Sequence, residues 1–325
     1  NRPALDARYV VGKGKLHQLV MDSAQLSADM IIFDCPLTSA QAHSIAEETN
    51  VEVLDRNQLI LAIFGQRARS QVGRLQVELA SLRYELPRLH KKFEGLSRIT
   101  GGIGATGPGE TKLEIHRRRV RQRISHLEKQ IERHTRQRQL SRRRRQERGV
   151  PVVSIVGYTN SGKSTLFNRM TASEVTAEDL LFATLDPTRR RVSFGQGREF
   201  VLADTVGFIR DLPRELMQAF EATLEELSEA VLLVHLVDLA NPDHDEQVES
   251  VHQILESLDL HRLPRLVVYN KCDRLEELGV DIVEEAEGPL FVSARTGKNV
   301  PRLLETICRS LWPLETPLIR QAREP

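Results

Sequence analysis

Gly157-Tyr158-Thr159-Asn160-Ser161-Gly162-Lys163-Ser164 decides the fold of the second half of this 325-residue chain. The spacing is G-x-x-x-x-G-K-[ST]. An apolar run at 152–156 precedes it and Thr165-Leu166-Phe167 follows, so strand, loop and helix are expected in that order. Such a loop turns its backbone N–H groups inward at the positive end of a helix, where phosphate oxygens are held. Lys163 is expected to reach the β- and γ-phosphates, and the Ser164 hydroxyl to ligate Mg²⁺.

Working outward, further apolar runs at 200–203, 231–237, 266–269 and, more weakly, 290–292 alternate with amphipathic helical patterns. That alternation predicts an α/β fold: a mostly parallel sheet with helices on both faces. The ends of these runs carry the remaining chemistry. Asp204-Thr205-Val206-Gly207 closes the second run; the Asp would hold a water on Mg²⁺ and the Gly207 N–H would meet the γ-phosphate. Phe182-Ala183-Thr184-Leu185-Asp186 lies where a first switch belongs. Thr184 would ligate Mg²⁺ only while the γ-phosphate holds the segment, and Thr176 and Thr188 compete for that role. Lys163, Thr184 and Gly207 are therefore the expected catalytic positions.

The base is chosen by Asn270-Lys271-Cys272-Asp273. A carboxylate at Asp273 accepts two hydrogen bonds from the N–H pair on guanine's Watson–Crick edge, whereas adenine would leave it unpaired at high cost. Lys271 would lie along the base plane. Ser293-Ala294-Arg295 suits a loop whose backbone N–H meets the guanine carbonyl. GTP and GDP with Mg²⁺ are thus the expected ligands.

Net charge is only +1, but its distribution is uneven. Residues 1–65 carry 5 Lys/Arg against 8 Asp/Glu, residues 66–149 carry 23 against 8, and residues 150–325 carry 18 against 29. A neutral chain with one strongly basic segment usually offers that segment to a polyanion. Arg outnumbers Lys there 19 to 4, which favours phosphate through paired hydrogen bonds; the plainer alternative is a solvated helix face. No run of apolar residues is long enough to span a bilayer, and no basic-then-apolar leader opens the chain, so a cytoplasmic location is expected. Cys35, Cys272 and Cys308 are far apart, which argues against a disulfide framework or zinc knuckle.

Residues 1–65 read as a small α/β subdomain, with a buried strand at 30–33, a helix capped by Ser39 and running to about Thr49, a strand at 51–54 and a helix at 57–64. Residues 66–149 read as a long antiparallel helical hairpin. Val72, Leu75, Leu79, Leu82, Leu86, Leu89 and Phe93 form one seam, which Pro87 bends, and Leu113, Val120, Ile124, Leu127 and Ile131 form the other. The second arm ends in Arg142-Arg143-Arg144-Arg145. The tip holds Gly102, Gly104 and Gly107 in a literal G-x-G-x-x-G, but a helix rather than a strand precedes it, so the dinucleotide reading fails. The tip is either a backbone-exposed contact for a phosphate chain or a plain connector. His116, His126 and His134 decorate the basic helix and suggest no metal site. Residues 150–312 form the nucleotide-binding domain, and 313–325, with Pro313, Pro317 and Pro325, an irregular tail.

These motifs in this order, preceded by GGIGATGPGETKLE at 101–114 and Arg117-Arg118-Arg119, resemble the HflX-type ribosome-associated GTPases over essentially the whole chain. The resemblance implies a P-loop GTPase domain after an amino-terminal domain that binds the large (50S) ribosomal subunit through rRNA. It also implies a role in dissociating stalled or stressed 70S ribosomes, and ATP use in some members. No DNA partner and a monomer are expected.

Many GTPases place a Gln after Asp-x-x-Gly to orient the attacking water. Phe208 stands there instead and cannot, so slow intrinsic hydrolysis stimulated by the ribosome is expected. Asn160 is either a K⁺ ligand or a turn-stabilising residue. Two other readings stay open: an ATP- or GTP-using rRNA-remodelling factor, and a non-catalytic switch recruiting a protein through the heptad stripes.

Overall fold

The computed structural model of the chain describes residues 6–68, 70–89, 108–146, 149–171, 188–194, 198–210, 215–217, 225–279 and 288–313, with side chains of the long basic helix described from 113 to 137. Two compact units emerge, Asn1–Gln139 with Leu212–Glu221 and Leu140–Asp211 with Ala222–Pro325. Among the described residues no helix is long and apolar enough to cross a membrane.

The first unit opens with α1 (Lys13–Gln25), β1 (Met30–Phe33), α2 (Ser39–Thr49), β2 (Glu52–Asp55) and α3 (Arg56–Arg67). β1 and β2 pair in parallel, Met30 opposite Glu52 and Phe33 opposite Asp55. Phe33, Leu37, Ile45 and Val53 form the core with Tyr9, Val10 and Leu16. β1 is not the buried strand its composition suggests: Met30 and Ile32 are 42% and 47% exposed, because period-two alternation turns them outward. The cap of α2 is Thr38, not Ser39. Thr38 Oγ1 accepts from the Gln41 N–H and the Gln41 amide oxygen accepts from the Thr38 N–H at 2.9 Å, a reciprocal box. Counting from Ser39 the same position is Ala42, which has no acceptor.

Asp55 ends β2 and begins α3. One carboxylate oxygen caps α3 at the Gln58 N–H, 2.8 Å away. The other accepts from the Leu37 N–H at 3.1 Å, from Arg88 at 2.9 Å and from the Tyr84 hydroxyl. This knot joins the α/β layer to α4 (Gln71–Glu85) and the 3₁₀ turn Leu86–Arg88; the α-helix stops before Pro87 and passes into this turn rather than bending through the proline. α4 buries Leu75 and Leu79 of the expected seam, and also Val77, Ala80 and Tyr84, because α3 packs on that side. α5 (Pro108–Gln146) buries Val120, Leu127 and Ile131. Ion pairs Glu78–Arg123 at 2.7 Å and Arg83–Glu128 at 2.8 Å join α4 to α5; being half-exposed, each contributes at most about 1 kcal/mol. The glycine-rich tip at 101–107 lies outside the described residues, as do the side chains of Arg142, Arg143, Arg144 and Arg145.

The second unit is a six-stranded sheet in the order β4-β5-β3-β6-β7-β8. Its elements are β3 (Val152–Gly157), α6 (Lys163–Thr171), β4 (Thr188–Phe194), β5 (Arg198–Asp204), β6 (Leu232–Asp238), α7 (His244–Ser257), β7 (Arg265–Asn270), α8 (Cys272–Glu277), β8 (Leu290–Phe291) and α9 (Val300–Leu311). All pairings are parallel except β4 with β5. Leu166 and Phe167 of α6 and Leu303 and Ile307 of α9 pack on Val153, Ile155, Val234, Leu236 and Val268. Each fully buried Leu, Ile or Phe contributes about 1.5–3 kcal/mol of transfer free energy. β3 is one of the two central strands of this order, so the loop that follows it opens between β5 and β6, at the carboxyl ends of the strands where such folds bind ligands.

Candidate functional site

β3 delivers Gly157 to the loop and α6 begins at Lys163, the strand–loop–helix order the motif requires. Gly162 has φ +92°, and a Cβ there would stand 2.3 Å from the Asn270 side-chain nitrogen. Only glycine fits this close approach. Lys163 is buried and donates to the Tyr158 carbonyl at 2.7 Å. Burial pushes its ammonium down to about 8, with Asp204 opposing and Lys271 reinforcing the shift. A buried cation held this loosely gains most from a polyanion set against it. The Ser161 hydroxyl is buried and has no protein partner. The loop thus has both a cradle and an unsatisfied donor, which suits phosphate.

Beside Lys163, the Ser164 hydroxyl donates to the Asp204 carboxylate at 2.8 Å. Two hard oxygen groups at the mouth of a phosphate loop are a fitting donor set for Mg²⁺. After Asp204, Thr205 Oγ1 donates to the Ile155 carbonyl at 2.6 Å. Val206 is buried, and Gly207 packs so closely that a Cβ would meet Lys163 Nζ and Thr159 Cα, each at 3.0 Å. Phe208 bridges the loop: its N–H donates to the Gly157 carbonyl at 3.1 Å and its carbonyl accepts from the Thr159 N–H at 2.7 Å. The Arg210 N–H donates to the Tyr158 hydroxyl at 3.0 Å. Phe208 is 2% exposed, an apolar wall with no means of orienting water.

The base side is built by three loops tied through one amide. Asn270 donates to the Ser161 carbonyl at 2.8 Å and accepts from the Ala294 N–H at 2.9 Å. Lys271 pairs with Asp238 at 2.8 Å, which fixes its stem at the end of β6. Cys272 is buried, and burial raises its thiol pKa, so it fills space. Asp273 is 9% exposed and its Oδ1 has no protein partner. A buried carboxylate oxygen without a donor costs stability unless a ligand satisfies it. Arg295 Nη1 lies 3.9 Å from the other oxygen of Asp273, and Ser293 is fully buried, its hydroxyl accepting from the Thr296 N–H at 3.1 Å.

All the sequence-derived positions at 157–164, 204–207, 270–273 and 293–295 therefore converge on one end of the sheet. Phe182, Ala183, Thr184, Leu185 and Asp186 lie outside the described residues. Asn160 adopts φ +63° in the loop. Sequence reasoning missed Asp238, the Tyr158 hydroxyl and Arg169, whose guanidinium meets the Ala294 and Arg295 carbonyls. Asp238 was findable, since it ends a strand on the ligand side of the sheet. Among the described residues no His, Cys, Asp and Glu gather into a metal-binding group.

Comparison with known proteins gives a consistent answer. Residues 152–271 match the family described as "50S ribosome-binding GTPase", residues 67–145 "GTP-binding GTPase Middle Region" and residues 1–65 "GTP-binding GTPase N-terminal". The GTPase HflX of Caldanaerobacter subterraneus subsp. tengcongensis is 46% identical over 312 residues, 96% of this chain and 72% of that protein. The GTPase HflX of Escherichia coli is 45% identical over 314 residues, 96% of this chain and 74% of that protein. A solved structure of a GTP-binding protein from the archaeon Sulfolobus solfataricus in complex with GDP is 26% identical, with a TM-score of 0.48 over 95% of this chain and 88% of its own. With relatives this similar along nearly its whole length, the chain belongs to the HflX family of GTPases, enzymes that hydrolyse GTP.

Proposed function

We propose that this GTPase binds the large ribosomal subunit through residues 66–149 and helps dissociate stalled or stressed 70S ribosomes. The observation that carries the reading is charge. Residues 66–149 hold 23 Lys/Arg against 8 Asp/Glu, while residues 150–325 hold 18 against 29. Along α5, Arg118, Arg119, Arg121, Arg133 and Arg136 are exposed. An arginine-rich helix carried in one chain with an acidic enzyme domain suits rRNA phosphate, and the acidic domain limits nonspecific adhesion. The family description matched at 152–271 supports the same partner.

In this mechanism Asp273 accepts the guanine N–H pair and the loop N–H groups hold the phosphates. Lys163 bridges the β- and γ-phosphates, and the Gly207 N–H meets the γ-phosphate. Ser164, Thr184 and Asp204 would hold Mg²⁺, Asp204 through a water. When bound, the ion neutralises charge on the phosphate oxygens. Asn160 is a candidate ligand for K⁺ in the same role. Phe208 orients no water, so the protein alone is slow and the ribosome supplies the missing geometry.

GTP turnover measured alone and with 50S, 30S and 70S particles tests this. Stimulation by 50S and 70S is expected; equal rates in all four overturn the reading. Replacing Arg142, Arg143, Arg144 and Arg145 by Ser should weaken 50S cosedimentation and flatten its dependence on salt. Unchanged cosedimentation at several salt concentrations would make the basic stretch a solvated face. Turnover in KCl and NaCl at equal ionic strength, with ribosomes, tests Asn160, and identical rates remove K⁺.

A further inference from the structure

Arg169 projects from α6, between one and two turns after Lys163, toward the loop that follows β8. Its Nε donates to the Ala294 carbonyl at 3.4 Å and its Nη2 donates to the Arg295 carbonyl. Gly297, at φ +90°, leaves the guanidinium room; a Cβ there would lie 3.8 Å from Arg169 Cζ. The side chain therefore ties two successive peptides of the base loop to the helix of the phosphate loop.

A trans peptide is planar, so its C=O and N–H point in opposite directions. Drawing the Ala294 carbonyl toward α6 turns the Arg295 N–H away from α6. Drawing the Arg295 carbonyl the same way turns the Thr296 N–H away, and that group is taken by the Ser293 hydroxyl at 3.1 Å. The Ala294 N–H is already committed to Asn270 at 2.9 Å. Of the three N–H groups, the Arg295 one is the donor this arrangement aims, in a residue whose side chain reaches Asp273 at 3.9 Å.

We propose that Arg169 is a positioning residue for guanine: by holding the Ala294 and Arg295 carbonyls it aims the Arg295 N–H at the base carbonyl. The inference rests on the assignment of Asp273 to the other edge of the base, and the test separates the two. Neutral substitutes would let the loop rotate, while Lys, with one cationic centre, would restore part of the hold.

The test uses the full chain and four fluorescent diphosphates: GDP, IDP and XDP, which share the ring carbonyl, and ADP, which lacks it. Arg169→Ala should weaken GDP, IDP and XDP, all of which carry the ring carbonyl, together by about tenfold, the scale of one lost hydrogen bond, and leave ADP unchanged. Arg169→Lys should recover part of that loss. In parallel, Asp273→Asn should weaken GDP and strengthen XDP. If Asp273→Asn behaves so but Arg169→Ala weakens all four diphosphates equally, or none, Arg169 is a structural clip and the positioning role is overturned. If Asp273→Asn does not exchange GDP for XDP, the base-site assignment itself fails and takes the proposal with it. Should Arg169→Ala fail to fold, the GDP-to-ADP affinity ratio of Arg169→Lys decides; an unchanged ratio overturns the role.

Discussion

Asn270, at the end of β7, donates its side-chain N–H to the Ser161 carbonyl of the phosphate loop at 2.8 Å. The same amide accepts from Ala294 at 2.9 Å, so one side chain spaces the phosphate loop from the base loop. Asn270→Ala removes both bonds in a buried setting. Each is worth about 1 kcal/mol, so GTP and GDP should both bind roughly thirtyfold more weakly. Stopped-flow titration with a fluorescent nucleotide reads this; a loss confined to GTP would contradict it.

Lys163 gives a pH signature. Burial holds its ammonium at about 8, below the ordinary 10.5. The unfolded chain therefore binds more protons between those values, and the nucleotide-free protein gains stability as pH rises from about 8 toward 10.5. Phosphate favours the charged form and raises the pKa, so nucleotide binding above about pH 8 takes up a proton and affinity falls as pH rises. Calorimetry at pH 9 in two buffers of different ionisation enthalpy should detect that uptake. Lys163→Arg should abolish it.

Gly207 packs at the limit on Thr159 and Lys163. Gly207→Ala forces apart the phosphate loop and the segment after Asp204, and Thr159 Cα is backbone that cannot step aside. The γ-phosphate contact is a transition-state contact, so kcat should fall on the order of a hundredfold while GDP affinity stays within about threefold. Single-turnover hydrolysis and GDP titration separate the two quantities.

In the amino-terminal unit, burial raises the Asp55 pKa, but donors from Tyr84, Gln58, Leu37 and Arg88 outweigh it and the net shift is downward. Its stabilisation is therefore present above the ordinary value of 3.8 and lost as pH falls below it. Asp55→Ala strands several buried donors and should cost about 3 kcal/mol at pH 7. Thermal melts of the full chain should show that loss at pH 7, with the difference from wild type shrinking as pH is taken progressively below 3.8.

The site was legible where chemistry forces residues into contiguous strings, as in the loop at 157–164, Asp204 to Gly207 and Asn270 to Asp273. It was not legible where a contact joins distant positions through side chains. Arg169 and Ala294 are 125 residues apart, and Tyr84 and Asp55 are 29 apart. β4 escaped because Arg189-Arg190-Arg191 masks its alternation; only Val192 in its middle is buried. Thr38 was passed over for Ser39 because either can cap, and the reciprocal Gln41 settles the matter only when counted from Thr38. The second buried face of α4 was missed because a heptad search looks for one seam, whereas Val77 and Ala80 answer to α3.

β4 also sets where the sheet stops. It runs antiparallel to its one neighbour, β5, at the outer margin of the described sheet and carries three consecutive arginines, of which Arg189 and Arg191 are answered by Glu229 and Glu199. A stray chain trying to extend the ladder would have to strip water from this guanidinium row. The margin that looks least ordered in the sequence thereby guards the protein against aggregation.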